Sequence, residues 1–324
     1  MKVIKFEQYG GPEVLQYTEA ERPEPADNEV LVEVKAIGVN YADTARREGQ
    51  YVVPTPLPYI PGSEAAGVIV ATGSKVKRFE AGMRVSALIE SGAYADFVTI
   101  DANTLIPIPG EVDFEQAVAL PLQGLSAYHV LTTMGRLEKG ETVLIHAAAG
   151  GVGAIAVQLA KLFGAGKIIA TASSAEKLEH AKALGATHLV DYTKEDWVEE
   201  VKSITDNKGV DLALEMVGGE VFNKTLKCLA PFGRLVIFGA ASGEQAQFHP
   251  GQLMRKNQSV IGFFLPQIMG KPELFQKSLQ ELLGYMASGE LKLTIGGSYP
   301  LADAADVHRL LQSRKTIGKL VLKP

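Results

Sequence analysis

The stretch VLIHAAAGGVGAIAVQLAK, Val143 to Lys161, decides how this chain folds. An apolar run, VLIH, ends in a glycine turn, and the turn opens onto an amphipathic segment. Against the dinucleotide-binding pattern G-x-G-x-x-G the turn places Ala148, Gly150 and Gly153. Alanine stands at the first glycine, while the close-approach and helix-packing glycines are present. A tight strand-to-helix turn needs glycine in any case. The context carries the stronger reading: apolar strand, glycine turn, helix, then a second apolar strand, KIIATA. Ala149, Gly150, Gly151, Val152 and Gly153 are the expected phosphate cradle, their N–H groups facing a pyrophosphate at the helix start.

Downstream the same rhythm repeats. Strands KIIATA, HLVDY, VDLALEM and RLVIFGA alternate with helices AEKLEHAKALG, EDWVEEVKSIT and EVFNKTLKCL. Nearly all-apolar strands between amphipathic helices predict an α/β fold, a doubly wound parallel sheet covered on both faces. SVIGFF is a candidate sixth strand. Upstream, from Met1 to about Pro109, short β-rich bursts (VLVEVKAIGV, AGVIVAT, RVSAL, AYADFVTI) predict a largely antiparallel, barrel-like domain. FEQAVALPLQGLSAYHVLTTM reads as helix with a break at Pro121. The tail after Phe264 is too short for a domain, so it is expected to return and complete the first one. The expected boundaries are 1–119 with 265–324, and 120–264.

The segment ATASSAEK, Ala170 to Lys177, ends the second strand of the nucleotide half. An acid there would accept from a ribose 2′-hydroxyl and repel a 2′-phosphate. The positions hold Ala172, Ser173 and Ser174, with Lys177 a turn later, which points to NADPH. Ser173 has a second reading, as N-cap with Glu176 at N3, and Lys177 a second one as a solvated helix residue.

A net charge of −5 gives no pull toward nucleic acid or anionic membranes, and no aromatic-basic patch is present. Cys228 is the single cysteine, which excludes an internal disulfide and any multi-cysteine metal site. The start, MKVIKFEQYGG, has no long apolar run, and the most apolar window is broken by His146, the glycine turn and Gln158. A reduced, cytoplasmic setting is expected.

Taken together, GETVLIHAAAGGVGAIAVQLAK, GSEAAGVIVATGSKV, GVNYADTARREGQY, LPLQGLSAYHVL and SRKTIGKLVL resemble the quinone oxidoreductases (zeta-crystallin type) of the medium-chain dehydrogenase/reductase superfamily. The likeness runs through the whole chain. It implies a GroES-like catalytic domain formed by both chain ends, a Rossmann-like domain between them, and a homodimer. In zinc-dependent relatives a cysteine and a histidine are ligands; here Asn40 and Ser63 stand in their places, so no metal is expected. Without that Lewis acid the resemblance points to reduction of an electron-poor acceptor, a quinone or an activated alkene.

By the same resemblance Asn40, Asp43 and Tyr51 are the candidate catalytic residues. Asn40 is also a cofactor contact, and Tyr41 lies in the same segment. Tyr51 is either a proton donor and stacking surface or a loop aromatic that packs, and Asp43 has a second reading as a helix N-cap. Gln123 and Gly124 are expected at the nicotinamide, and Tyr192 at the adenosine phosphate. Phe238, Gly239 and Ala240, and with them Phe263, Phe264 and Leu265, are expected along the cofactor. Arg314 and Lys319 match positions that bind cofactor phosphate, or else are a helix C-terminal charge and a solvated strand residue. His146 is expected to pack. The leading expectation is a zinc-independent NADPH:quinone reductase. Its rivals are an enone, enal or enoyl-thioester reductase and, in another class, a crystallin-like or RNA-associated binding protein that retains NADPH.

Overall fold

The computed structural model describes residues 1–324. Two compact units divide them: 1–122 with 293–324, and 123–292. In the first unit β1 (Lys2–Lys5) pairs antiparallel with β2 (Gln16–Glu19). β3 (Glu29–Val39) runs into α1 (Tyr41–Arg47), and β4 (Glu64–Thr72), β5 (Arg84–Leu88), β6 (Phe97–Asp101) and β7 (Leu105–Pro107) follow. The antiparallel neighbours β3-β4-β5-β7, with β6 also on β3, hold a core of Val30, Val32, Ile37, Ile69, Val85 and Tyr94.

The helical run after β7 breaks at Pro121 into α2 (Phe114–Ala119) and α3 (Pro121–His129). Proline fits a first helical position because its missing N–H has no partner there anyway. α3 passes into a π turn over Val130–Met134.

The second unit is the alternating one. β8 (Thr142–Ile145), α4 (Gly151–Leu162), β9 (Lys167–Ala172), α5 (Ala175–Leu184), β10 (His188–Asp191), α6 (Trp197–Ile204), β11 (Val210–Glu215), α7 (Gly219–Cys228), β12 (Leu229–Ile237) and β13 (Ser259–Gly262) follow in order. All six strands are parallel, in the order β10-β9-β8-β11-β12-β13. The strand order turns back between β8 and β11, and a ligand crevice lies outside the carboxyl ends at such a switch point. The candidate strand SVIGFF is β13.

After α8 (Leu265–Met269) and α9 (Pro272–Ala287) the chain returns to the first unit. β14 (Ile295–Pro300), α10 (Ala304–Gln312) and β15 (Lys319–Lys323) complete it, with β15 antiparallel to β3 and parallel to β14. The tail therefore returns, but later than the expected boundary at 264/265. Residues 265–292 cluster with the second unit. The reason lies in hydrogen bonds between α3 and α9. The Tyr128 hydroxyl donates to Glu281 at 2.7 Å, and His129 Nε2 pairs with Ser278 Oγ at 3.0 Å.

Candidate active site

In the second unit the sequence-predicted residues gather at the carboxyl ends of the strands. After β8, Ala147 adopts a positive φ of 49°, a conformation that costs a residue with a Cβ. α4 then begins at Gly150, which no side chain caps. The first-turn N–H groups of a helix have no intrahelical acceptor, so Gly151, Val152 and Gly153 present donors backed by a twelve-residue helix dipole. A Cβ at Gly153 would run into the Ala147 carbonyl, and one at Gly151 would overlap the Gln123 side-chain amide. The glycine turn and Gln123, both predicted cofactor residues, are thus in contact. Gly124 is buried beside Gln123 in α3, and Ala149 is buried in the turn.

β9 ends at buried Ala172 with no acid on its own strand end. The register sets Asp191 of β10 opposite Ala172, but its carboxylate turns to the Thr193 N–H and hydroxyl at 3.0 and 2.7 Å. Tyr192 N–H donates to the Ala172 carbonyl, which brings Tyr192 to the same strand end. Ser174, not Ser173, caps α5: its hydroxyl accepts from Lys177 N–H at 3.4 Å. The expected Ser173–Glu176 capping box is displaced by one residue, and the Ser173 hydroxyl stays outside the cap. Lys177 is half-buried, and burial lowers its pKa.

The ends of β11, β12 and β13 are laced together. Phe238 N–H donates to Glu215 O at 3.0 Å, Ala241 N–H to Met216 O at 2.8 Å, and Phe263 N–H to Ile237 O at 2.8 Å. Phe238, Gly239, Ala240, Phe263, Phe264 and Leu265 therefore share one edge. Sequence reasoning missed Glu215, which closes β11. Its Oε1 accepts from Val217 and Gly218 N–H at 2.7 and 3.0 Å, while Oε2 is buried without a partner and burial raises its pKa. A carboxylate at the very end of a mostly apolar strand was the available signal. His146 packs as expected, between the Thr171 and Thr225 hydroxyls at 2.8 Å each and edge-on to Trp197.

In the first unit the candidates Asn40 and Asp43 belong to one buried polar network. Asn40 is the N-cap of α1; Asp43, expected in that role, is at N3 and accepts from Asn40 N–H at 2.8 Å. The Asn40 side chain is fully committed. Its amide donates to Gly38 O and to Glu64 Oε2, and its carbonyl accepts from Lys319 at 2.7 Å. Lys319 is neither solvated nor free for a phosphate, since its ammonium is 1% exposed and paired with fully buried Glu64. Glu64 also accepts from Leu122 N–H at 2.7 Å. Arg314 is exposed in a positive-φ turn after α10.

From Asp43 the network continues through residues the sequence reading had not joined. The Tyr94 hydroxyl donates to Asp43 Oδ2 at 3.3 Å and pairs with His308 Nε2 at 3.1 Å. His308 Nδ1 takes a hydrogen bond from Arg47, which forces the tautomer with its proton on Nε2. The donors therefore run in one direction, from Arg47 through His308 and Tyr94 to the carboxylate. Burial raises Asp43 to about 6 and drives His308, beside the Arg47 cation, down to about 3. Asp43 Oδ1 is sealed without a partner. Tyr51 is half-buried with the Arg46 guanidinium 4.2 Å above its ring, and burial raises its pKa against the pull of that cation.

This donor set does not fit zinc. No group of three or more His, Cys, Asp or Glu residues is placed to hold a metal, and an ammonium already satisfies Glu64. The nucleotide edge does fit a dinucleotide, through the uncapped helix start and the acid-free end of β9.

Residues 26–110 match the alcohol dehydrogenase GroES-like domain, and 151–284 match the zinc-binding dehydrogenase domain. The chain is 40% identical to a quinone oxidoreductase of Pseudomonas aeruginosa, over 100% of this chain and 99% of that one. It superposes on the Escherichia coli quinone oxidoreductase complexed with NADPH with a TM-score of 0.95, at 39% identity and full coverage of both chains. It also superposes on the CurK enoyl reductase with a TM-score of 0.88, at 31% identity over 99% of this chain and 98% of that one. This chain belongs to the quinone oxidoreductase family of the medium-chain dehydrogenase/reductase superfamily.

Proposed function

We propose that the chain is a zinc-independent, NADPH-dependent reductase of quinones. The observation that carries this is the acid-free end of β9 beside an uncapped helix start, in a chain matching quinone oxidoreductases from end to end. Bound NADPH supplies a hydride. The chain's own part is to hold and orient. The first-turn N–H groups of α4 take the pyrophosphate, Ser173 and Lys177 take the 2′-phosphate, and Gln123 and Gly124 approach the nicotinamide. Tyr192, Phe238 to Ala240 and Phe263 to Leu265 line the remainder. Asp43 and the Lys319–Glu64 pair fix Asn40 and α1. Tyr51 faces the acceptor and returns a proton to its reduced oxygen.

The likeness to an enoyl reductase keeps activated alkenes as the second reading. A homodimer and a cytoplasmic setting belong to the proposal; no helix is long and apolar enough to cross a membrane.

The test is steady-state oxidation of NADPH and of NADH by EDTA-treated protein with an ortho-quinone. NADPH is expected to be favoured by about ten- to a hundredfold, the worth of one or two charge-assisted hydrogen bonds. Ala172→Asp, which restores an acid facing the ribose, is expected to reverse that preference. An unchanged ratio would mean the 2′-phosphate binds elsewhere. No quinone turnover beside fast enone reduction would favour the second reading.

A further inference from the structure

Two features meet at the start of α4, and neither has a partner within the chain. The first is the helix end itself. Gly150 leads into a twelve-residue helix with no side-chain cap and no acidic residue in its first turn, so the free N–H groups and the positive end of the dipole stay unanswered. The second is the Gln123 side chain, brought there by α3. Gln123 is 9% exposed, and a Cβ on Gly151 would overlap both the nitrogen and the oxygen of its amide. The amide therefore lies across the first turn of α4, a place open to it because residue 151 is glycine.

The structure gives that amide no hydrogen bond. An amide withdrawn from water without a partner costs free energy, and such groups are ordinarily satisfied. The sealed side-chain atoms without partners are Asp43 Oδ1 and Glu215 Oε2, so the Gln123 amide is still open to whatever occupies the turn. Its NH2 carries two donors, set beside backbone N–H groups that also lack acceptors. Donors gathered at a helix start, with no acid in that turn, suit an anion that has several oxygens to share among them.

We propose that Gln123 binds the diphosphate of NADP(H), its amide donating to the phosphate on the nicotinamide side while the α4 N–H groups hold the remainder. The proposal deepens the reading of the α4 start as the pyrophosphate cradle and rests on it. Fixing that phosphate also fixes the ribose and ring beyond it, which is how Gln123 acts on the nicotinamide it approaches. Methionine at 123 would fill similar space with no donor, and glutamate would keep the shape and reverse the preference for an anion.

The experiment is calorimetric titration of the native chain, Gln123→Met and Gln123→Glu with three ligands. NADP+ carries the diphosphate and the nicotinamide. Its fragment 2′-phospho-ADP-ribose keeps the diphosphate and lacks the nicotinamide, and adenosine 2′,5′-bisphosphate lacks the nicotinamide-side phosphate as well. In Gln123→Met the first two are expected to weaken equally, about tenfold, with the third unchanged. In Gln123→Glu, where a carboxylate meets the phosphate, the same two are expected to weaken about a hundredfold. A thermal melt confirms the fold of each variant, and Gln123→Glu carries the test if Gln123→Met does not fold. A loss confined to NADP+ would put the amide on the nicotinamide ring and overturn the proposal. An equal loss for all three ligands, or no loss at all, overturns it too. A native chain that binds none of the three overturns the functional reading along with it, whereas native binding of all three leaves that reading standing whichever way Gln123 falls.

Discussion

The two units prepare their candidate sites by opposite means. In the second, the residues that matter are mostly those with little or no side chain: Gly150, Gly151 and Gly153 at the helix start, Ala172 where an acid would stand. The candidate site there rests on uncapped backbone donors and on what is absent. In the first, it rests on buried charge: Lys319 on Glu64, Arg47 on His308, Tyr94 on Asp43, and Arg46 on aromatic rings. A backbone-built site tolerates substitution until a Cβ or a charge enters it. A charge-built site depends on each partner, because removing one strands another in a medium that solvates it poorly.

The sharpest way to break this contrast is Lys319→Met. It leaves the Glu64 carboxylate buried against only Asn40 and Leu122 N–H, and breaking such a pair costs about 3–5 kcal/mol. The double variant Lys319→Met with Glu64→Gln is expected to recover most of that loss, as urea midpoints would show. If the single variant unfolds at the native midpoint, the pair contributes nothing and the first unit is not charge-built.

The units also differ in how acid attacks them. His146 is buried in the second unit and depressed by burial to about 4 from an ordinary 6.5. A base whose folded pKa is depressed contributes stability that is complete above 6.5 and is lost as pH falls toward 4. Between pH 7 and pH 5 that is about 2 kcal/mol. In the first unit His308 is lowered in the same sense, but Asp43, raised to about 6, works the other way. Its folded form binds the proton more tightly, so acidification from 6 toward 3.8 partly offsets the histidine. Trp197 is the only tryptophan and sits edge-on to His146, 5.6 Å between centroids, so its emission reads the second unit alone. The urea midpoint seen by Trp197 is expected to fall steeply between pH 7 and 5, and less steeply in His146→Asn. Equal slopes in both proteins would assign the acid sensitivity elsewhere.

Legibility in the sequence follows the same division. The doubly wound sheet, the glycine turn and the missing acid were readable because each is local: apolar periodicity, a turn, one residue type at a strand end. The return of the tail to the first unit was readable for the same reason, as a last strand with no sheet of its own. Lys319 was not, since nothing in KTIGKLVL says that its ammonium meets Glu64, 255 residues earlier. Nor was the line from Arg47 to Asp43, which joins α1 to His308, 261 positions from Arg47. The allegiance of α9 was hidden because an amphipathic helix shows that it packs, not against what. Tyr128 and Ser278 decide it.

The smallest effect tests the closest margin, the single residue between Ser173 and Ser174. The sequence favoured Ser173 as the cap because Glu176 stands three residues on; the backbone enters its helix one residue later, and Ser174 accepts the Lys177 N–H instead. The two serines should therefore separate by readout. Ser174→Ala removes a helix cap, about 1 kcal/mol of stability. Ser173→Ala removes a donor from the proposed 2′-phosphate site and should weaken NADPH about tenfold more than NADH, leaving the urea midpoint within error. The 2′-phosphate is the only difference between the two cofactors at this strand end, so their affinity ratio isolates it from any general loosening of α5. If Ser174→Ala instead shifts the cofactor ratio and Ser173→Ala the stability, the cap lies where the sequence first put it. The backbone-built site would then be offset by one residue from the geometry described.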